Sequence, residues 1–119
     1  MIDLATFQAL ATMDLGPMEP KPTSIEGNQT EASVALASHN GGKVEIGVWE
    51  CTPGRFTADR SHSAEFCHFI AGKAKLTNHK GKSWIVKKGD AFIIPAGFRG
   101  TWETIEKVRK HYVILQPES

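Results

Sequence analysis

Little in this chain points toward a membrane, a nucleic acid or an oxidising compartment. No apolar run approaches the ~20 residues needed to cross a bilayer, so no membrane partner is expected. No block of like charge exists either: 14 Lys and Arg face 13 Asp and Glu, for a formal net charge of +1. Such balance argues against nucleic acid as a main partner, and Lys80, Lys82, Lys87 and Lys88 read as solvated hairpin ends. Cysteine is scarce. Cys51 and Cys67 form no Cys-x-x-Cys pair, and reduced thiols are expected. The opening Met1-Ile2-Asp3-Leu4 has no basic segment followed by an apolar one. A secreted protein is therefore not expected, and a cytoplasmic one is.

What is present is strand grammar. The 119 residues suit one domain, long enough to bury about 65% of the surface of the unfolded chain without staples. Apolar runs are short and bounded by Gly or Pro. Lys43–Cys51 alternates, with Val44, Ile46 and Val48 on one face and Glu45, Gly47, Trp49 and Cys51 on the other. Both sets carry apolar bulk, so this strand is expected to be covered on both sides. From Glu65 the alternation groups Glu65, Cys67 and Phe69 against Phe66, His68 and Ile70, and Gly72 is expected to end the strand. His39-Asn40-Gly41-Gly42, Asn78-His79-Lys80-Gly81, Gly89-Asp90 and Pro95-Ala96-Gly97 read as turns. The last strands are expected at 100–104 and 109–115, with 105–108 bridging them.

Before the strands, Leu4, Phe7 and Leu10 recur at helical spacing behind Asp3, which predicts a short helix over residues 3–12. Pro17, Pro20 and Pro22 then enforce an extended arm. The chain divides into a helix and arm over residues 1–30, packing on a barrel over 31–119. The arm either lies along its own domain or adds to a partner's sheet edge, and a homodimer is expected. Many short strands with almost no helix mean an all-β fold, a closed barrel or two-sheet roll.

Two motifs sharpen this. Gly54 is followed by Arg60, Ser61 and His62, with Glu65 ahead of Gly72. Gly89, Pro95 and Gly97 stand in a second register, with Trp102 beyond them and Arg109-Lys110-His111-Tyr112 near the end. The chain resembles the cupin superfamily, and within it the small single-domain cupins related to the (S)-ureidoglycine aminohydrolase cupin domain. The resemblance spans residues 44 to 115. It implies a double-stranded β-helix, the cupin jelly-roll barrel. It also implies a divalent transition metal held by three His and one Glu. Here Arg60 replaces the first His and Gly100 the last, leaving Glu65 and His62, with His111 able to supply a third ligand from a neighbouring strand.

Two ligands make a poor metal site, and an inward Arg60 would repel a cation. The metal set His62, Glu65 and His111 therefore holds only if those three converge; otherwise no cofactor is expected. Without metal, Glu65 needs Arg60, His62, Arg99 or Lys110 as a partner, because a buried unpaired carboxylate is costly. It then serves either as a catalytic general acid or base or as one half of a structural ion pair. Cys67 should sit beside it, as a small buried hydrophobe or a nucleophile. His68 faces away, and His39 and His79 fall in turns. Trp49, Phe56, Phe98 and Trp102 are candidate walls of a cavity in which Arg60, His62 and Cys67 would also contact a substrate; each could equally be core. Trp84 is expected to pack a sheet face or an interface. The expected ligand is a small molecule, an anion if Arg60 receives it. One fold hosts many activities, so enzyme status stays open at this point.

Overall fold

The computed structural model describes residues 4–117. Among these, nine strands follow one another: β1 (Glu19–Pro20), β2 (Ser24–Glu26), β3 (Thr30–His39), β4 (Val44–Cys51), β5 (Gly54–Arg60), β6 (Ala64–Asn78), β7 (Ser83–Lys87), β8 (Ala91–Ile94) and β9 (Phe98–Leu115). The helical content is one 3-10 turn, Asn40–Gly42, at the predicted Asn-Gly-Gly position. None of the described helices is long and apolar enough to cross a membrane.

Two long strands form the spine. β6 and β9 run antiparallel from Ala64↔Leu115 to Asn78↔Gly100. On its outer edge β9 pairs with β4 through its second half and with β5 through its first. The outer edge of β6 likewise carries β8 along its first part and β7 along its last. Register shifts between Phe69 and Ala74 mark the bend at which the sheet curls. The outcome is the all-β barrel that the strand grammar predicts, with the jelly-roll form that the resemblance implies.

Three local expectations need correction. The helix over 3–12 is absent in its described part; residues 10–12 form a turn and Ala9 takes a positive φ of 57°. So short a helix is marginal by itself. The segment instead lays Leu10, Met13 and Leu15 against Ala32 and Val48, the outer face of β3 and β4. The Arg109 guanidinium fastens it, donating to the carbonyl oxygens of Leu10 and Met13 at 2.8 Å each. Residue 3 lies outside the described part. Beyond the turn, β1 pairs with β3 and β2 with β5 of the same chain.

Second, Gly72 does not end a strand. It sits in the bend of β6 at φ +90°, and a Cβ there would lie 2.1 Å from the Lys107 carbonyl oxygen on β9. Glycine permits the two backbones to cross. Third, residues 105–108 are not a bridge, because β9 is continuous from Phe98 to Leu115. Its bend takes Trp102 and Thr104 from one half, and Val108, Lys110 and Tyr112 from the other, into the buried interior.

The barrel core joins Trp49, Phe56, Phe69 and Trp102 with Cys51, Cys67, Leu76 and Val108. Trp49 meets Trp102 edge-on at 5.5 Å, and Phe56 stacks on Trp102 at 5.5 Å. Pairs of this kind add about 0.5–1.5 kcal/mol each beyond area burial. β4 is covered on both faces, as its pattern predicts: Trp49 and Cys51 enter the barrel, while Val48 lies under the N-terminal segment.

The crossing at Gly72 gives a direct test. Gly81 has a similar φ, +86°, but nothing within 4 Å of its Cβ direction. Ala at either site carries the left-handed penalty of about 1–2 kcal/mol, and Gly72→Ala adds overpacking of about 1–3 kcal/mol. Urea unfolding should therefore show Gly72→Ala as clearly the less stable variant. Equal midpoints would mean the backbones do not cross this closely.

Candidate functional site

The inward residues of β4, β5, β6 and β9 enclose a cavity of about 440 Å3 that opens to solvent beside the arm. At its base is Glu65, 2% exposed. The alternation that places Phe69 in the core brings Glu65 to the same face of β6, where the side chain of Lys110, the cross-strand partner of Phe69 on β9, reaches it. Lys110 Nζ donates to Glu65 Oε2 at 2.5 Å. The other carboxylate oxygen, Oε1, pairs with Arg60 Nη2 at 2.7 Å. Cys67 Sγ–H donates to Oε2 at 3.4 Å.

Lys110 is 6% exposed, and its ammonium lies 4.4 Å from the Trp49 ring centroid and 4.7 Å from that of Trp102. Ring faces attract a desolvated cation, so the two indoles and the carboxylate together hold it. A second layer lies nearer solvent. Glu31 Oε1 accepts from Trp49 Nε1 at 2.9 Å and from Lys21 Nζ at 2.8 Å, and Lys21 covers Phe56 at 4.2 Å. On another wall Tyr112 Oη–H donates to Glu45 Oε2 at 2.8 Å.

The protonation states follow. Burial alone would push the Glu65 carboxyl up, but Lys110 and Arg60 outweigh it and hold it below the usual range. Burial likewise works against the Lys110 ammonium, and the Glu65 carboxylate outweighs it, raising the Lys110 pKa. Glu31 is held down in the same manner, its burial offset by Lys21 and Trp49. Burial pushes the Cys67 thiol up to about 12 and Cys51 to about 11. Both are free and buried. Cys67 is a protonated hydrogen-bond donor here, without nucleophilic character at neutral pH.

Of the residues singled out in the sequence, Glu65, Arg60, Trp49, Phe56 and Trp102 line one cavity. Cys67 touches Glu65 from the core without lining it. Three do not join them. His62 is exposed on the bend after β5, where the alternation that turns Arg60 inward has ended. His111 lies one residue out of phase with Lys110 and pairs across the sheet with His68, on the opposite face; burial and His68 both lower its pKa. Phe98 lines a different groove.

The expected set His62, Glu65 and His111 therefore does not converge. Among the described residues no three His, Cys, Asp or Glu side chains group as ligands. The residues present do not fit a divalent metal, because an ammonium and a guanidinium already hold both oxygens of Glu65. Sequence reasoning missed Lys21, Glu31, Glu45 and Tyr112 as lining residues. Glu45 was within reach, since its alternation with Trp49 puts both on one face. Lys21 was not, because it depends on how the arm docks, and Glu31 depends on the pairing of β3 with β4.

The charge pair predicts a pH-dependent defect. Lys110→Met leaves Glu65 buried with Arg60 alone, and breaking a buried pair costs about 3–5 kcal/mol. The Glu65 pKa is depressed in the native state, so its contribution is present above the unfolded-state carboxyl pKa. It is lost as pH falls through the depressed value. Urea unfolding should show the full penalty at pH 7 and a smaller one in acid, where the variant's Glu65 takes up a proton. Adding Glu65→Gln to Lys110→Met should recover part of the loss. An equal penalty at both pH values, or no recovery, would show that the pair is not the source.

Comparisons with known proteins agree with this architecture. No curated protein matches the chain. A protein of the DUF861 family from Thermotoga maritima is 35% identical over 55% of this chain and 73% of its own, with a TM-score of 0.52. A DUF861 protein of unknown function from Pseudomonas syringae is 24% identical, with a TM-score of 0.71 over 83% of this chain and 42% of its own. The Clostridium difficile EutQ protein is 16% identical, with a TM-score of 0.65 over 76% of this chain and 65% of its own. These last two likenesses concern the fold alone. The model of the EutQ-like cupin domain matches residues 39–112, the span that holds Arg60, Glu65, Trp102 and Lys110. The chain belongs to the EutQ-like cupin domain family.

Proposed function

We propose that this cupin binds a small anionic molecule in the barrel cavity and does so without a metal. One observation carries the reading: the Glu65 carboxylate is held by Lys110 at 2.5 Å and Arg60 at 2.7 Å. One negative charge faces two positive ones, so the cluster is locally cationic. Arg60 is its accessible member, with its side chain 30% exposed at the cavity. A guanidinium at the mouth of an aromatic cavity is suited to a carboxylate, which it can grip with two donors. Trp49, Phe56 and Trp102 supply apolar walls.

Glu45, on another wall, is an acceptor to which Tyr112 alone donates among the described residues. It favours a ligand that carries an N–H as well as an acid, such as an amino or ureido acid. An aminohydrolase reaction through a divalent cation, as the resemblance to ureidoglycine aminohydrolase cupins suggests, is the less favoured reading, because Lys110 already supplies the cation at Glu65. The reading is of a cytoplasmic binding protein, and a homodimer is compatible with it.

The test is a thermal-shift screen of small carboxylates, amino acids and ureido acids, run with and without EDTA. Wild-type protein should gain stability with ligand, by about 2.7 kcal/mol at a hundredfold excess over Kd. EDTA should leave both the melting point and the gain unchanged. Arg60→Ala should lose the gain relative to its own baseline, and Arg60→Lys should keep part of it. Binding undiminished in Arg60→Ala would sink the assignment. So would near-stoichiometric metal whose removal lowers the melting point.

A further inference from the structure

The barrel has a second concavity, of about 490 Å3, at the end formed by β7, β8 and the turn before β9. It is separate from the Glu65 cavity, and Ile94 lines both. Its character differs. Leu76, Val86 and Ile94 are its buried residues, and Trp84, Phe92 and Phe98 are the aromatic ones. Trp84 belongs to the inward set of β7, paired with Leu76 of β6, yet it is 42% exposed. Ile93, at the rim, is 62% exposed. Ile93 lies on the outer face of β8, whereas Trp84 is an apolar side chain left open on the inner face, the kind of surface that ligand grooves present.

The rim is basic. Arg99 lines the groove, and among the described residues its guanidinium makes no hydrogen bond or ion pair. Its electrostatic influence reaches Asp59, its cross-strand neighbour. His79 stands beside it, its backbone N–H donating to the Arg99 carbonyl at 2.8 Å. The Lys82 ammonium lies 5.2 Å from the Trp84 ring.

These charges also distinguish the possible occupants. Among the described residues β7 pairs only with β6, so its outer edge is open to a second copy of the chain. An antiparallel pairing centred on Ile85 would bring Lys82 and Lys88 of the two copies face to face. Like charges directly opposite disfavour such a pair, and lysine on an edge strand blocks it. An anion meets the same rim favourably.

We propose that this groove is a second ligand site, for a small apolar carboxylate. The ring or branched chain of the ligand lies among Trp84, Phe92 and Phe98, and its carboxylate meets Arg99. Phe98, in phase with Trp102 on β9, packs against the barrel core and forms the groove's inner wall.

The test is a titration of the full chain with 4-phenylbutyrate, following the three tryptophan indole N–H signals by NMR. The Trp84 signal should move and saturate in the millimolar range expected for a ligand of this size. The Trp49 and Trp102 signals should stay in place. The uncharged 4-phenylbutanol, and the acid with Arg99→Gln, should each bind about tenfold more weakly, the loss expected for one charge-assisted hydrogen bond. Arg99 is exposed, so the variant should fold as wild type.

Four results would overturn the proposal. One is a Trp84 signal that never responds. Another is a set of three indoles moving together at one ligand concentration. The third is an alcohol that binds as tightly as the acid. A Trp84 signal that shifts on dilution without ligand, together with a dimer by sedimentation, would assign the groove to a second copy instead and equally overturn it.

Discussion

A carboxylate cannot be buried at the base of a barrel unless something answers its charge, and much of this structure is the answer given to Glu65. Lys110 and Arg60 take one oxygen each. Lys110 then needs its own shelter, which Trp49 and Trp102 supply with their ring faces. Those indoles need partners in turn: Trp49 donates to Glu31 and Trp102 to Thr104. Glu31 is balanced by Lys21. The chain of dependence runs from one carboxylate out to the N-terminal arm, and each link satisfies a polar group that the preceding one left buried.

The bend of β6 against β9 makes this convergence possible. Lys110 and Trp102 lie on opposite sides of the bend in β9. A straight strand would carry them about 25 Å apart, at roughly 3.3 Å per residue. Curling the sheet at Gly72 lets both reach the same space over Glu65. The site thus depends on a backbone crossing that involves none of its own residues.

Much of this was legible in the sequence. Alternation along 43–51 and 65–70 grouped Trp49 with Cys51, and Glu65 with Cys67 and Phe69, and Gly89, Pro95 and Gly97 marked turns. The errors arise where phase is lost. Reading 105–108 as a bridge interrupted β9, and His111 was chosen as a ligand although its neighbour Lys110 is the inward residue. Because the side-chain period is two, a slip of one residue exchanges the faces. The N-terminal helix failed differently. Leu4, Phe7 and Leu10 do show helical spacing, but the segment is short, and Arg109 draws the Leu10 and Met13 carbonyls across the sheet. Nothing local in the sequence specifies that contact. The arm's contribution to the cavity was hidden for the same reason.

With Arg60 and Lys110 as the partners of Glu65, this cavity differs in what it can do from one that holds a metal. A metal ion offers charge, polarisation and open coordination positions. An ammonium hydrogen-bonded to a carboxylate offers charge alone. Nor do the titrating groups lend themselves to proton transfer near neutral pH. Glu65 is held below the carboxylate range and Lys110 above its ordinary value, whereas a general acid or base works best when its pKa lies near the operating pH. The same charges that stabilise the pair take both groups out of the range in which catalysis would use them. Arg60 is different: it also donates to Ser63 Oγ, its side chain is partly exposed, and it lines the cavity. Fixed buried charges with Arg60 left accessible beside them support the proposed recognition of an anion.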